Sequence, residues 1–270
     1  FGHYTDLVPK GFVSIGDKPM ILRSIEVLLS CGITRIVIGT GYRCEAYEEL
    51  KKDYPMIETC FNPLYAETNS MYTLYNTREV LGDDDFLLLE SDLIFEPKAI
   101  RSLLDCAFSD VILITPVTKF QDQYYVEYDL EHTLTNCSVN KDDVDVKGEL
   151  VGIHKLSHAF YDKMCRDYET ILSEQPKLGY EYELLRMSRS VSPVYVLNVS
   201  GLKWYEIDDV QDLDIAESIF SEGTEKLHKF QKRYGGYWRY PKMLDFCYLV
   251  NPYFPNKKLI DEMQANFQTL

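Results

Sequence analysis

Through residues 1–115 the chain alternates short apolar, β-branched runs with amphipathic stretches of about ten residues, a rhythm that few folds accommodate. Ile21, Ile25, Leu28 and Leu29 fall at i, i+4, i+7 and i+8 behind Pro19 and before Gly32, which predicts a helix with a proline in its first turn and a glycine stop. The run 34–39 then reads as a buried strand, 44–52 as a helix, 57–61 as a strand and 70–80 as a helix. Phe86-Leu87-Leu88-Leu89 is a fully apolar strand ending in Glu90-Ser91-Asp92, followed by a helix over 97–108 and a strand over 111–117. Repeated right-handed βαβ units give a mostly parallel, doubly wound, Rossmann-like α/β sheet with helices on both faces. Such sheets bind ligands at the carboxyl ends of their strands, where Asp92 falls.

The middle third departs from this rhythm. Residues 124–130 alternate loosely, the stretch to Lys147 is polar and turn-rich, and 149–154 returns as a strand, so an inserted antiparallel ribbon is expected, of a kind that often forms a lid. Helices follow at 159–172 and 182–189, strands at 194–199 and 203–207, and a long helix begins near Asp209. From Tyr234 the composition turns to aromatics, glycine and proline before a last helical stretch at 257–267. One domain over 1–225 is expected, with 226–270 a linker and the start of another.

With 43 acidic against 28 basic residues the net charge is -15, which argues against nucleic acid or an anionic membrane surface as partner. Any phosphate must be held by a few local cations or a metal. The seven cysteines are scattered, never as C-x-x-C, so neither a disulfide framework nor a zinc site is suggested and a reducing cytoplasm is the expected home. No apolar run approaches the roughly 18 residues that cross a bilayer. The chain opens Phe1-Gly2-His3 without methionine, which reads as a start inside a longer polypeptide.

Three elements carry chemistry. Leu7-Val8-Pro9-Lys10-Gly11 leads to Gly16-Asp17-Lys18-Pro19; a lysine after a proline is commonly a solvated surface residue. Asp92 ends an apolar strand, where it can equally be a turn acid or a helix cap. In Trp204-Tyr205-Glu206-Ile207-Asp208-Asp209 a strand would set Glu206 and Asp208 on one face, yet Asp208 or Asp209 can simply cap the next helix.

In this order, over residues 1–225, the pattern P-K-x-x-x-x-x-G-D-K-P, the strand-end acid and the late E-x-D resemble the nucleotidyltransferases, which join an NTP to a phosphate-bearing acceptor and release pyrophosphate. Phe61-Asn62-Pro63-Leu64-Tyr65-Ala66-Glu67-Thr68-Asn69-Ser70-Met71-Tyr72 is similar to a segment of CTP:phosphocholine cytidylyltransferases, and 246–255 looks like the junction into a PLP-dependent transaminase in bifunctional enzymes that make CMP-2-aminoethylphosphonate. The resemblance implies CTP as donor, Asn69 and Ser70 at its cytosine or ribose, Lys10 on its α-phosphate, and Mg²⁺ on Asp92 and Asp208 with Glu206 helping. It also implies an acceptor site at Tyr180, Glu181 and Trp204. A primary ammonium wants carboxylates and a quaternary one an aromatic cage, and these residues suit either; 2-aminoethylphosphonate is the expected acceptor, with phosphocholine the alternative. The family begins with a central strand and a G-x-G-x-R loop, which would lie upstream of Phe1. A sugar-1-phosphate nucleotidyltransferase, a metal-dependent glycosyltransferase and a nucleotide-sensing domain are the other readings.

Overall fold

The computed structural model describes residues 8–118 and 123–220. A 3₁₀ turn at Lys10–Phe12 leads into a small hairpin of β1 (Ser14–Ile15) and β2 (Lys18–Pro19), and then helix α1 (Met20–Ser30). Strand β3 (Ile36–Thr40), helix α2 (Glu45–Leu50) and strand β4 (Ile57–Phe61) form a βαβ unit, parallel with Ile36 opposite Ile57. The helix expected over 70–80 is two: α3 (Ser70–Asn76) and α4 (Arg78–Leu81). Thr77 Oγ1 donates to the Leu74 carbonyl at 2.6 Å, taking the acceptor that the amide of Arg78 would use in an unbroken helix.

The central sheet holds β5 (Phe86–Leu89), β7 (Val111–Thr115), β8 (Tyr125–Tyr128), β9 (Leu134–Ser138), β10 (Gly148–Leu156) and β11 (Tyr195–Asn198), in the order β11-β7-β10-β8-β9 with β5 also on β10. β11 runs parallel to β7, and both share the direction of β5, because β10 lies antiparallel to β5 and β7 alike. The sheet is therefore mixed. Residues 149–154, read as ribbon, instead sit mid-sheet, where every residue of β10 but Lys155 is buried. The ribbon is β8 with β9, and β9 is a strand that the polar sequence before Lys147 did not announce.

Alternation in β7 explains the two helical layers. Val111 and Leu113 pack with Ala99, Leu103 and Leu28, from α5 (Pro97–Asp105) and α1, while Ile112 and Ile114 pack with Phe160, Met164 and Leu184 on the other face. Those residues come from α6 (His158–Ile171) and α7 (Tyr180–Ser190). All five side chains of β7 are buried, which at about 1.5–3 kcal/mol for each large apolar side chain makes this strand a main anchor of the core. Strand β6 (Leu93–Phe95) pairs antiparallel with β12 (Trp204–Glu206), and α8 (Val210–Phe220) closes the described chain.

β3 pairs only with β4, and β5 only with β10, among the described residues. The free sides of both strands line one cavity of about 910 Å³, together with the α1 residues Ile21, Ile25 and Leu28. The boundary expected at 225/226 and the 246–255 junction lie outside the described residues. No helix of the described residues is long and apolar enough to cross a membrane, and none of the described cysteines is in a disulfide.

Candidate active site

The Lys10 turn folds against the Glu90-Ser91-Asp92 turn. A Cβ on Gly11 would stand 3.3 Å from the Ser91 carbonyl oxygen, so a side chain there would push the two turns apart. Lys10 Nζ donates to Asp92 Oδ2 at 2.7 Å and to Asp208 Oδ1 at 3.0 Å, the three side chains being half-buried. Burial pulls the Lys10 ammonium down, and the Asp92 and Asp208 carboxylates more than offset it, holding its pKa above the ordinary lysine value. The pairing of Glu206 with Leu93, and the bond from the Ile207 amide to the Asp92 carbonyl at 3.0 Å, bring the two acidic motifs together.

The competing capping role belongs to Asp209. Its Oδ1 accepts from the amides of Gln211 at 2.7 Å and Asp212 at 3.0 Å, and Asp212 Oδ2 accepts in return from the amides of Asp208 and Asp209. This reciprocal arrangement is a capping box at the start of α8, and it leaves the Asp208 carboxylate directed at Lys10.

Glu90, Asp92 and Glu206 each bring one oxygen within 4.8 Å of the others, and Asp92 Oδ1 is buried without a hydrogen-bond partner. An oxygen-only donor set of this kind suits Mg²⁺, so the residues present fit such an ion. Asp208 is not in that trio; it reaches Asp92 through Lys10. Gln123 Nε2 steadies Glu206 at 2.8 Å.

Behind the trio runs a buried chain. Tyr180 donates its hydroxyl to Glu90 Oε1, and the Tyr180 hydroxyl oxygen lies 3.0 Å from His154 Nε2. Burial holds the imidazole down to about 3, so His154 is neutral, and burial followed by the Asp92 charge raises Glu90 well above the carboxylate range. Burial raises Glu181 too.

Asn69 and Ser70 line the same cavity as Glu90 and Asp92, but their polar atoms also hold the fold. Asn69 Oδ1 caps α3 through the Ser70 amide at 2.8 Å, and Ser70 Oγ accepts from the Tyr180 amide at 3.1 Å. Tyr180 and Glu181 reach this cavity as well. Trp204 does not: it is buried among Leu93, Phe95 and Leu113, with Nε1 donating to Thr115 Oγ1 at 3.1 Å. Sequence reasoning named Asp92 but gave Glu90 no role, although the strand-end E-x-D spacing places two carboxylates at the same turn, and it missed Gln123.

The sequence pattern of a MobA-like NTP transferase domain matches residues 3–169. The chain belongs to that family. Among curated relatives of this NTP transferase, CMP-5'-(3-aminopropyl)phosphonate synthase of Streptomyces rubellomurinus is 25% identical over 97% of the chain and 43% of the relative. The 2-aminoethylphosphonate cytidylyltransferase of Lancefieldella rimae is 32% identical over 36% of the chain and 42% of the relative. The chain thus spans less than half the length of these two relatives. Choline-phosphate cytidylyltransferase of Streptococcus pneumoniae is 25% identical over 80% of the chain and 90% of its own length. The solved CTP:phosphocholine cytidylyltransferase from the same species superposes with a TM-score of 0.66 at 23% identity, covering 81% of the chain and 92% of that structure. The NTP transferase fold and the likeness to cytidylyltransferases expected from the sequence are borne out.

Proposed function

We propose that this NTP transferase moves CMP from CTP to 2-aminoethylphosphonate, giving CMP-2-aminoethylphosphonate and pyrophosphate. The observation that carries the reading is the Lys10 ammonium held between Asp92, which lines the cavity, and Asp208, with relatives named for aminoalkylphosphonate and phosphocholine substrates in support.

A phosphonate oxygen of the acceptor attacks the α-phosphorus of CTP in line; the new P–O bond forms as the bond to the pyrophosphate oxygen breaks. The acceptor is already largely dianionic near neutral pH, as a phosphomonoester with a second pKa of about 6 is, so no general base is needed. Lys10 places a fixed charge on the α-phosphate as pyrophosphate departs. Asp92 and Glu206, which with Glu90 each bring one oxygen within 4.8 Å of the others, would hold Mg²⁺, which would supply neutralisation of phosphate charge, while Asp208, expected to share the ion, stays on Lys10. Asn69 and Ser70 stand at the cavity wall where the cytosine or ribose is received.

Phosphorus NMR of the products tests the reading. Two coupled resonances, one phosphonate and one phosphate, are the expected result with CTP, Mg²⁺ and 2-aminoethylphosphonate; an unchanged acceptor resonance beside consumed CTP would overturn it. Phosphocholine is the second reading, favoured by the relative and the structure named for it.

A further inference from the structure

We propose that Glu149, which does not line the cavity, is a positioning residue for Glu206 of the acidic trio; this rests on the metal reading above and not on the identity of the acceptor. Glu149 is fully buried on β10, opposite Thr115 of β7 on one side and Tyr125 of β8 on the other. Alternation along β10 sets it on the face of Val151, which packs with Leu113 and Trp204. There it ends a chain of hydrogen bonds. Trp204 Nε1 donates to Thr115 Oγ1 at 3.1 Å, Thr115 Oγ1 donates to Glu149 Oε1 at 3.5 Å, and the Thr118 hydroxyl donates to the same Glu149 oxygen. The direction of this chain is fixed: an indole N–H can only donate, the hydroxyl that accepts it passes its own proton on, and the last member must be an acceptor. For stability alone an apolar side chain would serve as well, because taking an acid out of water is costly even when it is hydrogen-bonded.

Two routes lead from this place on β10 to Glu206. Trp204 and Glu206 are two apart on β12 and share a face, so anchoring the indole sets where the carboxyl group stands. From the other side Gln123 Nε2 donates to Glu206 Oε2 at 2.8 Å, and Gln123 precedes Tyr124, whose carbonyl accepts from the amide of Leu150, next to Glu149, at 2.9 Å. Glu206 is thereby tied through both of its supports to residues 149 and 150, while its own oxygen lies within 4.8 Å of those of Glu90 and Asp92. Groups that orient a metal ligand without touching the ion commonly govern affinity for it.

The test measures binding of Mn²⁺, as a probe of the Mg²⁺ position, to the whole protein without nucleotide or acceptor, by the electron paramagnetic resonance of the free ion, together with the melting temperature. Glu149→Ala should raise the Mn²⁺ Kd about 10- to 100-fold. Glu149→Gln, which keeps an acceptor oxygen in the same place, should recover most of that loss, and in a Glu206→Ala background Glu149→Ala should add nothing further. If Glu149→Ala does not fold at the assay temperature, Thr115→Val, which removes the relaying hydroxyl and keeps the shape, carries the same comparison. A lowered melting temperature with an unchanged Kd in the folded protein would overturn the positioning role and leave Glu149 a core residue, as would an equal loss of affinity in the Glu206→Ala background. Failure of the unaltered protein to bind Mn²⁺ would overturn it together with the metal site, whereas failure of CMP transfer alone, read by pyrophosphate release, would leave it standing.

Discussion

Lys10 and Asp92 are 82 positions apart in the chain, and their side chains meet at 2.7 Å. The contact joins a 3₁₀ turn that precedes the first helix to the carboxyl end of the apolar β5 strand, and Asp208 completes it from the far side. A lysine so placed is a preset charge, held between two carboxylates.

Replacing Lys10 with alanine should lower kcat on the order of 10²- to 10³-fold, the scale of losing one transition-state donor. Single-turnover kinetics with CTP decide the point; a change in KM alone would reduce Lys10 to a binding residue.

The two aspartates at the start of α8 should separate cleanly. Asp209→Ala removes the helix cap and should cost about 0.5–2 kcal/mol in urea unfolding, with kcat largely retained. Asp208→Asn keeps the cap and should cost turnover instead, with little loss of stability. Equal effects of both variants on turnover would contradict the division of roles.

Gly152→Ala should destabilise the protein by about 1–3 kcal/mol through a strained positive φ and displace the Glu90 carboxyl. Paired with Glu90→Ala in a double-mutant cycle, the costs should be less than additive, because the second change removes the group that the new methyl meets. Additive costs would mean that the two residues do not touch.

Glu183 offers a pH test away from the cavity. It is fully buried, and burial raises its carboxyl to about 7, although Arg186 lies 3.1 Å away. The folded state therefore binds a proton more tightly than the unfolded chain, whose glutamates titrate at about 4.3. Its contribution is fully present below that value and lost as pH rises through about 7. Unfolding free energies from urea titrations between pH 5 and 8 should fall more for the unaltered protein than for Glu183→Gln, by a difference on the order of 1–3 kcal/mol; parallel pH profiles would show that Glu183 stays ionised.

The parts of the fold that sequence made legible are those where one period dominates. The run 57–61 is β4 residue for residue, and 86–89 is β5, the latter because a short apolar stretch between turn signals admits little else. β9 went unseen since Thr135, Asn136 and Ser138 give it no apolar alternation; its pairing to β8 is tertiary. The position of β10 was also hidden, because a single strand's sequence does not say which neighbours it joins. At the site, Lys10, Asp92, Glu206 and Asp208 were singled out by the resemblance of their motifs, in that order, to those of nucleotidyltransferases, since spacing alone left each an equally good structural role. Trp204 was misleading: an aromatic beside acidic residues suggests a binding face, but the pleat of β12 turns its ring into the core, where Thr115 accepts its N–H. The role of Gly152 could not be read at all, since it is defined by a carboxyl group brought to it by the fold.

The central claim is tested most directly by pyrophosphate release in the whole protein with Mg²⁺, each of CTP, UTP, GTP and ATP, and 2-aminoethylphosphonate, phosphocholine or a hexose 1-phosphate. Fast release with CTP and 2-aminoethylphosphonate, abolished by Asp92→Ala and by chelation of the metal, is the predicted result. No release with CTP and either amino-bearing acceptor, or preference for a hexose 1-phosphate, would contradict it.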